Sequence, residues 1–327
     1  MKRREFITLV GGAATTWSLA ARAQQPTMPV VGFIRDGSAE GNARYVAGFR
    51  KGLGETGYVE GQNVTVEYHW LEGKYDRLPE LLADLVRRQV AVIATPNTMP
   101  ALAAKAATAT IPIVFLVGDD PVELGLVGSL AKPGGNATGI NVLTAEVVAK
   151  RLRLLHDLMP NAVHIAVLVN PGIASIAKIT VEDVQKAAPT MGLQVQILNA
   201  TSIGEIDAAF ATFARERPDA LFVAPDGLFT SRRVQLVTLA TRDRIPATYP
   251  NRDYVEVGGL MSYGPDFADM FRQVGVYTGS ILKGTKPAEL PVLQSTKFEF
   301  VINLTTAKAL SLTIPAGVIS IADEVIE

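Results

Sequence analysis

Two short polar segments carry residue types that suit the binding of a small charged molecule. Thr95, Asn97 and Thr98 directly follow an apolar run and directly precede a predicted helix. The start of a helix offers unpaired N–H groups and a favourable dipole, so this turn suits an anion such as a carboxylate. Asp226 follows a later apolar run and suits an amino group, which donates to carboxylates. Such residues are also common helix N-caps, and the pattern leaves both interpretations open.

Seven further polar residues follow predicted strands or lie in the segments that join them. Ligands of open parallel sheets bind at the carboxyl ends of the strands, so position selects these residues. Asn141 and Tyr263 fall in predicted crossovers, where polar groups also serve local turns, and that alternative stays open. The predicted ligand-binding residues are Arg35, Asp36, Thr95, Asn97, Thr98, Asp119, Asn141, Asn170, Ser175, Asp226 and Tyr263.

The sequence predicts no catalytic, metal or cofactor site. It contains no cysteine, which excludes disulfides, thiolate metal ligands and a cysteine nucleophile. It has no Gly-x-Ser-x-Gly elbow, no P-loop and no Gly-x-Gly-x-x-Gly after a strand. His69, His156 and His164 are scattered, without the spacing of metal ligands. These observations argue against an enzyme and favour a protein that binds its ligand unchanged.

The elements that must position these residues alternate between short apolar runs and longer amphipathic ones. This pattern indicates parallel sheets that are covered by helices on both faces. The predicted strands are Pro29–Ile34, Asn63–Trp70, Val90–Ala94, Pro112–Val117, Val163–Val169, Gln194–Leu198, Ala220–Ala224, Pro246–Tyr249 and Phe298–Ile302. The predicted helices are Asn42–Thr56, Asp76–Arg88, Met99–Thr108, Ile176–Met191, Glu205–Arg217, Thr230–Arg242, Phe267–Lys283 and Thr305–Ser311.

The second half of the chain echoes the first. Gly37 after the first strand corresponds to Gly172, and Gly57 after the first helix corresponds to Gly192 at the same separation. The turn 94–97 (ATPN) corresponds to 223–226 (VAPD). Glycine and proline punctuate any α/β protein, but correspondences in the same order favour two similar lobes that arose by duplication.

Two glycine-rich segments, Lys132–Thr144 and Gly258–Pro265, are predicted to cross between the lobes, and Phe298–Ile302 supplies a third crossing. The predicted fold class is therefore α/β, with two doubly wound, Rossmann-like lobes joined by a three-strand hinge. Lobe 1 is predicted to comprise residues 29–141 and 263–295, and lobe 2 residues 142–262 and 296–327.

Residues 1–23 have the anatomy of a secretory signal peptide. A basic start is followed by a short apolar run and by Ala21-Arg22-Ala23, a small-x-small cleavage pattern. The adjacent Arg3 and Arg4 favour a twin-arginine route, with a general secretion signal or a membrane anchor as alternatives. Cleavage near Ala23 removes four basic residues and one acidic residue, so the net charge falls from −1 to −4. This balance argues against nucleic acid and anionic lipid as partners.

Several longer segments are similar to a known family. They include residues 48–64 (GFRKGLGETGYVEGQNV), 119–140 (DDPVELGLVGSLAKPGGNATGI) and 300–315 (FVINLTTAKALSLTIP). Over nearly the whole mature chain, the sequence resembles the substrate-binding proteins of ABC transporters, of the tryptophan/tyrosine type. The resemblance implies a type I periplasmic-binding fold that closes on a small molecule and delivers it to a permease. Two departures lie at the expected cleft, Asp119-Asp120 for the usual Thr-Asp and Asp226-Gly227 for the frequent Asp-Asn, so the ligand is expected to be an amino acid or aromatic acid-like molecule that can differ from the family's usual one.

The expected partners are therefore a small molecule and an ABC permease in the inner membrane. The mature chain is expected to be a periplasmic monomer that does not insert into the membrane. Two other functions stay open at this stage. One is a ligand sensor that presents its bound form to a membrane receptor, and the other, less favoured, is an exported α/β enzyme, which would need a nucleophile–base pair that the sequence does not display.

Overall fold

The computed structural model describes residues 28–142, 145–172 and 174–327. The predicted signal peptide, residues 1–23, lies outside the described residues. Two sheets organise the described chain, and most of their strand pairs are parallel. This arrangement confirms the predicted fold class of two α/β lobes.

The first sheet has the order β11-β5-β4-β3-β1-β2 and the second has the order β13-β12-β10-β9-β8-β6-β7. The orders 5-4-3-1-2 and 10-9-8-6-7 are therefore the same pattern, as the internal repeat predicts. The strands are β1 Val30–Arg35, β2 Thr65–Trp70, β3 Val92–Thr95, β4 Ile113–Val117, β5 Ala137–Asn141, β6 His164–Val169, β7 Gln194–Asn199, β8 Ala220–Val223, β9 Ala247–Tyr249, β10 Met261–Pro265, β11 Leu293–Gln294, β12 Phe298–Asn303 and β13 Glu324–Ile326.

Helices cover both faces of each sheet. The α-helices are α1 Ala43–Glu55, α2 Leu78–Arg87, α3 Thr98–Ala107, α4 Ala145–Leu158, α5 Ala174–Ala187, α6 Ile203–Glu216, α7 Gly227–Ser231, α8 Arg233–Arg242, α9 Asp253–Glu256, α10 Phe267–Leu282, α11 Leu304–Ala309 and α12 Ala316–Ile319. Short 3-10 helices occupy Glu40–Asn42, Tyr75–Arg77, Ala188–Met191 and Pro287–Glu289.

Successive strand residues enter cores on opposite faces. In β1, Phe33 packs in the core beneath α1 and α10, whereas Ile34 packs in the core beneath α2 and α3. In β6, Val167 and Ala166 divide in the same way between the two cores of the second sheet. Because side chains alternate across a sheet, a strand that is covered on both faces reads as a continuous apolar run, which explains why these strands are predictable from the sequence.

The two glycine-rich segments contain the strands β5 and β10, although their composition predicts only crossovers. Each includes a glycine whose missing Cβ is required for strand packing. A Cβ on Gly139 of β5 would lie 2.0 Å from the Phe115 carbonyl oxygen, and one on Gly264 of β10 would lie 1.8 Å from the Pro250 carbonyl oxygen. The close approach of a neighbouring backbone requires glycine at these positions. Because glycine is more common in loops than in strands, the amino-acid composition does not predict a strand here.

Helix α4 also escaped prediction, and the helix predicted over 230–242 divides into α7 and α8 at Arg232. The described ranges contain no helix that combines the length and the apolar character needed to cross a membrane.

Three crossings join the sheets, after β5, after β10 and after β11. Hydrogen bonds connect the crossings to one another. The Ser295 N–H donates to the Asn141 carbonyl at 3.0 Å, and the Asp266 N–H donates to the Lys297 carbonyl at 3.0 Å. Lys297 also pairs with the Asp266 carboxylate at 2.7 Å. The division of the chain into lobes stays a prediction, and its boundary at residue 263 falls within β10, all of which pairs in the second sheet.

Candidate functional site

The carboxyl edges of the two sheets face each other. The chain leaves the carboxyl ends of β5 and β10 to enter the crossings, so these edges lie toward the partner sheet. A contact between the lobes joins the same edges, because the Tyr45 hydroxyl, in the helix after β1, reaches Asp253, in the helix after β9. The loops that carry the predicted ligand-binding residues therefore line the space between the lobes.

In the first sheet, the strand order reverses between β1 and β3, and polar contacts bridge that point. The Asp36 N–H donates to Asn97 Oδ1 at 3.1 Å. The Arg35 guanidinium donates to the Pro96 carbonyl at 2.8 Å. Such a reversal is where open α/β sheets bind ligands. The structure thus brings Arg35, Asp36 and Asn97 together, and their contact with a ligand stays a prediction.

Arg35 is the fixed cation of this edge. Its guanidinium also donates to Asn42 Oδ1 and lies 4.5 Å from the ring centre of Phe271 and 5.2 Å from that of Tyr45. Burial lowers the pKa of Arg35 to about 10, against the opposing effects of Tyr45 and Asp253. The residue therefore stays charged at neutral pH. Because its guanidinium already donates to Asn42 and Pro96, its main contribution to this edge is a positive potential.

The Asp36 carboxylate accepts hydrogen bonds from the loop after β2. The donors are the Gly73 N–H and the Tyr75 hydroxyl, both at 2.7 Å. Burial raises the pKa of Asp36, but the hydrogen bonds from Tyr75 and Gly73 outweigh it, and the net shift is downward. Asp36 holds the loop after β2 against the end of β1.

Helix α3 begins at this edge without a side-chain cap. Asn97 holds the N-cap position in extended conformation, but its side chain makes no capping hydrogen bond, because its oxygen accepts from Asp36 instead. The Thr98 hydroxyl donates to Asp119 Oδ2 at 3.4 Å. Thr95 is fully buried, and its hydroxyl oxygen has no hydrogen-bond partner among the described residues.

Asn141 fixes the loop that carries Asp119. Its side-chain amide donates to the Asp119 carbonyl at 2.8 Å and to the Val117 carbonyl at 3.3 Å. Asn141 is 6% exposed. The Asn141 side chain, which was predicted to lie in a crossover, therefore bonds within the first lobe and positions Asp119 beside the start of α3.

The corresponding edge of the second sheet is organised around Asp226. One carboxylate oxygen accepts from the Phe229 N–H at 3.1 Å and caps α7. The other accepts from the Asn170 side-chain amide at 3.1 Å, which bridges the ends of β6 and β8. The capping interpretation of Asp226 is thus confirmed, whereas its contact with a ligand stays a prediction. Asp226 is 8% exposed.

Tyr263 and Ser175 complete the predicted set. The Tyr263 ring stacks on Phe298 in the second sheet, with ring centres 6.0 Å apart and an angle of 23°. Ser175 lies in helix α5, but its side chain falls outside the described residues. The structure therefore places Tyr263 in the middle of β10, within the second sheet, rather than in a crossover loop.

Sequence reasoning missed a buried cation in the second lobe. Arg151 of α4 is 1% exposed, donates to the Val223 carbonyl at 2.9 Å and lies 3.9 Å from the ring centre of Phe222. Burial lowers its pKa to about 9. Arg151 holds the end of β8, close to Asp226. The available signal was an arginine within an apolar helical stripe that includes Val147 and Leu155.

The described residues contain no group of three or more His, Asp or Glu side chains arranged to hold a metal ion. The polar groups that line the two carboxyl edges are hydrogen-bond donors, hydrogen-bond acceptors and charges of both signs. Amide N–H groups and Arg35 provide donors and positive potential on the first lobe, and carboxylates lie on both lobes.

Two α/β lobes whose polar loops face each other across a shared space are typical of two-lobed binding proteins. The model for the family "ABC transporter substrate binding protein" matches residues 29–326. The chain belongs to this family, whose members bind solutes and are not enzymes.

Individual relatives agree with the family match. The chain is 29% identical over 265 residues to a tyrosine-binding protein of Clostridioides difficile (strain R20291), which covers 81% of this chain and 76% of the relative. A structure from Streptococcus pneumoniae in complex with L-Trp matches with a TM-score of 0.81 and 28% identity, over 92% of this chain and 100% of the other.

A third relative is the ligand-free, open structure of a substrate-binding protein with adhesive properties from Clostridium difficile. It matches with a TM-score of 0.70 and 25% identity, over 91% of this chain and 99% of the other. The expectation of a substrate-binding protein with a type I periplasmic-binding fold is therefore confirmed.

Proposed function

We propose that the protein captures an amino acid or an aromatic acid-like molecule between its two lobes and delivers it to an ABC permease in the inner membrane. The family supports the link to an ABC transporter. Relatives described as tyrosine-binding and as bound to L-Trp support an aromatic amino acid as the first candidate ligand.

The observation that carries the proposal is the difference between two equivalent helix starts. Helix α3 of the first lobe lacks a side-chain cap, so its first N–H groups suit the carboxylate of a ligand. Helix α7 of the second lobe is capped by Asp226, and this edge presents a carboxylate instead. The two edges therefore complement the opposite ends of a zwitterion.

The ligand's ammonium group is assigned to Asp226 and Asp119. Asp119 lies beside Thr98 at the start of α3, held by Asn141. In an α-amino acid the ammonium and carboxylate groups share one carbon, so a carboxylate on the N–H groups of α3 places the ammonium close to Asp119. An ammonium group has enough donors to serve both carboxylates, and so contacts both lobes.

Export completes the proposal. The signal peptide predicted over residues 1–23 sends the chain to the periplasm by the twin-arginine route, and the mature monomer begins near Gln24. N-terminal sequencing of the exported protein tests this step. Detection of Met1 in the exported protein would contradict it.

A thermal-shift screen tests the ligand class. The screen compares amino acids, aromatic carboxylates and short peptides, each with the purified mature chain. A ligand at 100 times its dissociation constant stabilises the folded protein by about 2.7 kcal/mol. We expect the largest shift from an amino acid with free amino and carboxyl groups. A shift produced only by peptides or by amines without a carboxyl group would overturn the assignment of the two charged ends.

A further inference from the structure

Helix α1 forms direct contacts between the lobes, beside the predicted ligand-binding residue Arg35. Tyr45, in the first turn of α1, donates its hydroxyl to the Asp253 carboxylate, with oxygen–oxygen distances of 2.6 and 2.7 Å. Asp253 begins α9, in the loop region after β9 of the second sheet. The adjacent Arg44 lies 3.3 Å from Glu256 and 3.8 Å from Glu299.

These contacts differ in strength. Tyr45 is 6% exposed, and its hydroxyl bonds a charged acceptor, which strengthens a hydrogen bond. The side chains of Arg44 and Glu256 are 37% and 44% exposed, and exposed ion pairs contribute little. The Tyr45–Asp253 hydrogen bond is therefore the principal polar contact between the lobes at this position.

The first lobe holds Tyr45 rigidly. Its ring stacks on Phe271 of α10, with ring centres 5.0 Å apart and an angle of 22°. Helices α1 and α10 approach so closely that a Cβ on Gly52 would lie 1.9 Å from the Arg272 carbonyl oxygen, and one on Gly275 would lie 2.1 Å from the Phe49 carbonyl oxygen. Tyr45 cannot follow Asp253 if the lobes separate, because its backbone and ring are both fixed.

We infer that Tyr45 and Asp253 form a latch that favours the closed arrangement of the lobes, and that Tyr45 is a positioning residue for ligand binding. The inference rests on the proposed function, because closure matters only if the ligand binds between the lobes. Burial and the nearby Asp253 raise the pKa of Tyr45, so its hydroxyl keeps its proton through the neutral range.

The latch makes a specific prediction for affinity. Apparent affinity depends on the population of the binding-competent form, so loss of the latch weakens every ligand by the same factor. Tyr45→Phe removes only the hydroxyl and is expected to raise the dissociation constants of L-tyrosine and L-tryptophan by a common factor of about five to ten. Calorimetry measures both constants.

Small-angle scattering of the ligand-free protein gives a second readout that needs no ligand. Tyr45→Phe and Asp253→Ala are each expected to increase the radius of gyration relative to the wild type. Asp253→Asn keeps an acceptor for the hydroxyl and is expected to stay compact. The matched control is Tyr68→Phe, which removes a hydroxyl that bonds Glu60 at 3.0 Å within the first lobe and is expected to leave the radius unchanged.

The outcomes separate the latch from the proposed function. Expansion of Tyr45→Phe without amino-acid binding by the wild type would support the latch and overturn the proposed ligand. An unchanged radius together with dissociation constants within twofold of the wild type would overturn the latch, and so would a loss confined to one of the two amino acids. Asp253→Ala decides the matter if Tyr45→Phe does not fold, since it leaves the aromatic packing of the first lobe intact.

Discussion

At the carboxyl end of its third strand, each lobe places a proline and then an Asx residue immediately before a helix. In the first lobe the residue is Asn97, whose oxygen accepts from Asp36 across the sheet and leaves α3 without a side-chain cap. In the second lobe it is Asp226, which accepts from Asn170 across the sheet and also caps α7.

The difference follows from the chemistry of the two side chains. A carboxylate has two acceptor oxygens, so Asp226 can serve the neighbouring strand and its own helix together. An amide has one oxygen, and in Asn97 the neighbouring strand takes it. One change of residue at equivalent positions therefore converts a helix start that can accept an anion into one that already has its negative charge.

The largest expected effect comes from removing that charge in the second lobe. Asp226→Asn keeps one oxygen, for either the Phe229 N–H or the Asn170 amide, and it loses the attraction for an ammonium group. Amino acids are expected to bind about 1.5–3 kcal/mol more weakly, the range for hydrogen bonds to charged groups. Calorimetry measures the change. The matched control, Asp219→Asn, alters a carboxylate that bonds Val163 and His164 before β8, at the opposite edge of the sheet. Equal affinity in the wild type and Asp226→Asn would leave Asp226 as a helix cap alone.

The next largest effect concerns stability and tests whether the crossing strands β5 and β10 are equivalent in the two lobes. Gly139→Ala and Gly264→Ala each place a methyl group against a backbone carbonyl in a crossing strand, and each is expected to lower the free energy of unfolding by about 1–3 kcal/mol. Chemical denaturation measures it. Gly54→Ala is the control, because its Cβ meets nothing within 4 Å, and it is expected to stabilise α1 by about 0.4–1 kcal/mol. If only one of the two glycine substitutions lowers the free energy of unfolding, the two crossing strands are not equivalent.

A smaller effect is expected from giving the first lobe the residue type of the second. Asn97→Asp adds a negative charge at the start of α3, and is expected to weaken ligands that carry a carboxylate by about tenfold, since helix-end charge effects reach about 2 kcal/mol. Competition binding measures the factor. Asn63→Asp makes the same change before β2, where Asn63 bonds Val59 and Gly57, and should leave affinity unchanged. Tighter binding by Asn97→Asp would show that a cation occupies this position.

The smallest effect is expected at Asp36 of the first lobe, in the way the free energy of unfolding depends on acid pH. The pKa of Asp36 lies below its ordinary value of 3.8 because the hydrogen bonds from Tyr75 and Gly73 outweigh burial. A lowered folded-state pKa means that this contribution to stability is complete above pH 3.8 and is lost as the pH falls through the folded-state pKa. Asp36→Asn should therefore differ from the wild type in unfolding free energy at neutral pH and approach it at the acid end. A difference that does not change with pH would contradict the role of the charge.

The sequence predicted the two lobes because their strands are covered on both faces and read as apolar runs. It did not predict β5 and β10 as strands, because Gly139 and Gly264 serve a close backbone approach that composition presents as a loop. The loops of the site were predictable from strand ends, but the roles within them were not. Whether Asn97 or Asp226 caps its helix depends on Asp36 and Asn170, which only the folded sheet brings near.

The hydrophobic pattern of the sequence does not predict which residues far apart in the chain contact each other. Tyr45 and Asp253 are more than two hundred residues apart in the chain, and nothing local marks them as partners. Arg151 was detectable only as an interruption of an apolar stripe, and its bond to Val223 depends on how α4 packs against the second sheet.

The opposite charge preferences that we propose for the two lobes are tested most directly by one set of calorimetric titrations. L-Tyrosine, its decarboxylated amine and its deaminated acid are each titrated into the wild type, Asn97→Asp and Asp226→Asn. We predict that Asn97→Asp weakens the two ligands with a carboxylate and spares the amine, whereas Asp226→Asn weakens the two ligands with an amino group and spares the acid. The reverse pattern, or an equal loss for all three ligands in both variants, would contradict the assignment of the carboxylate to the first lobe and of the ammonium to Asp226.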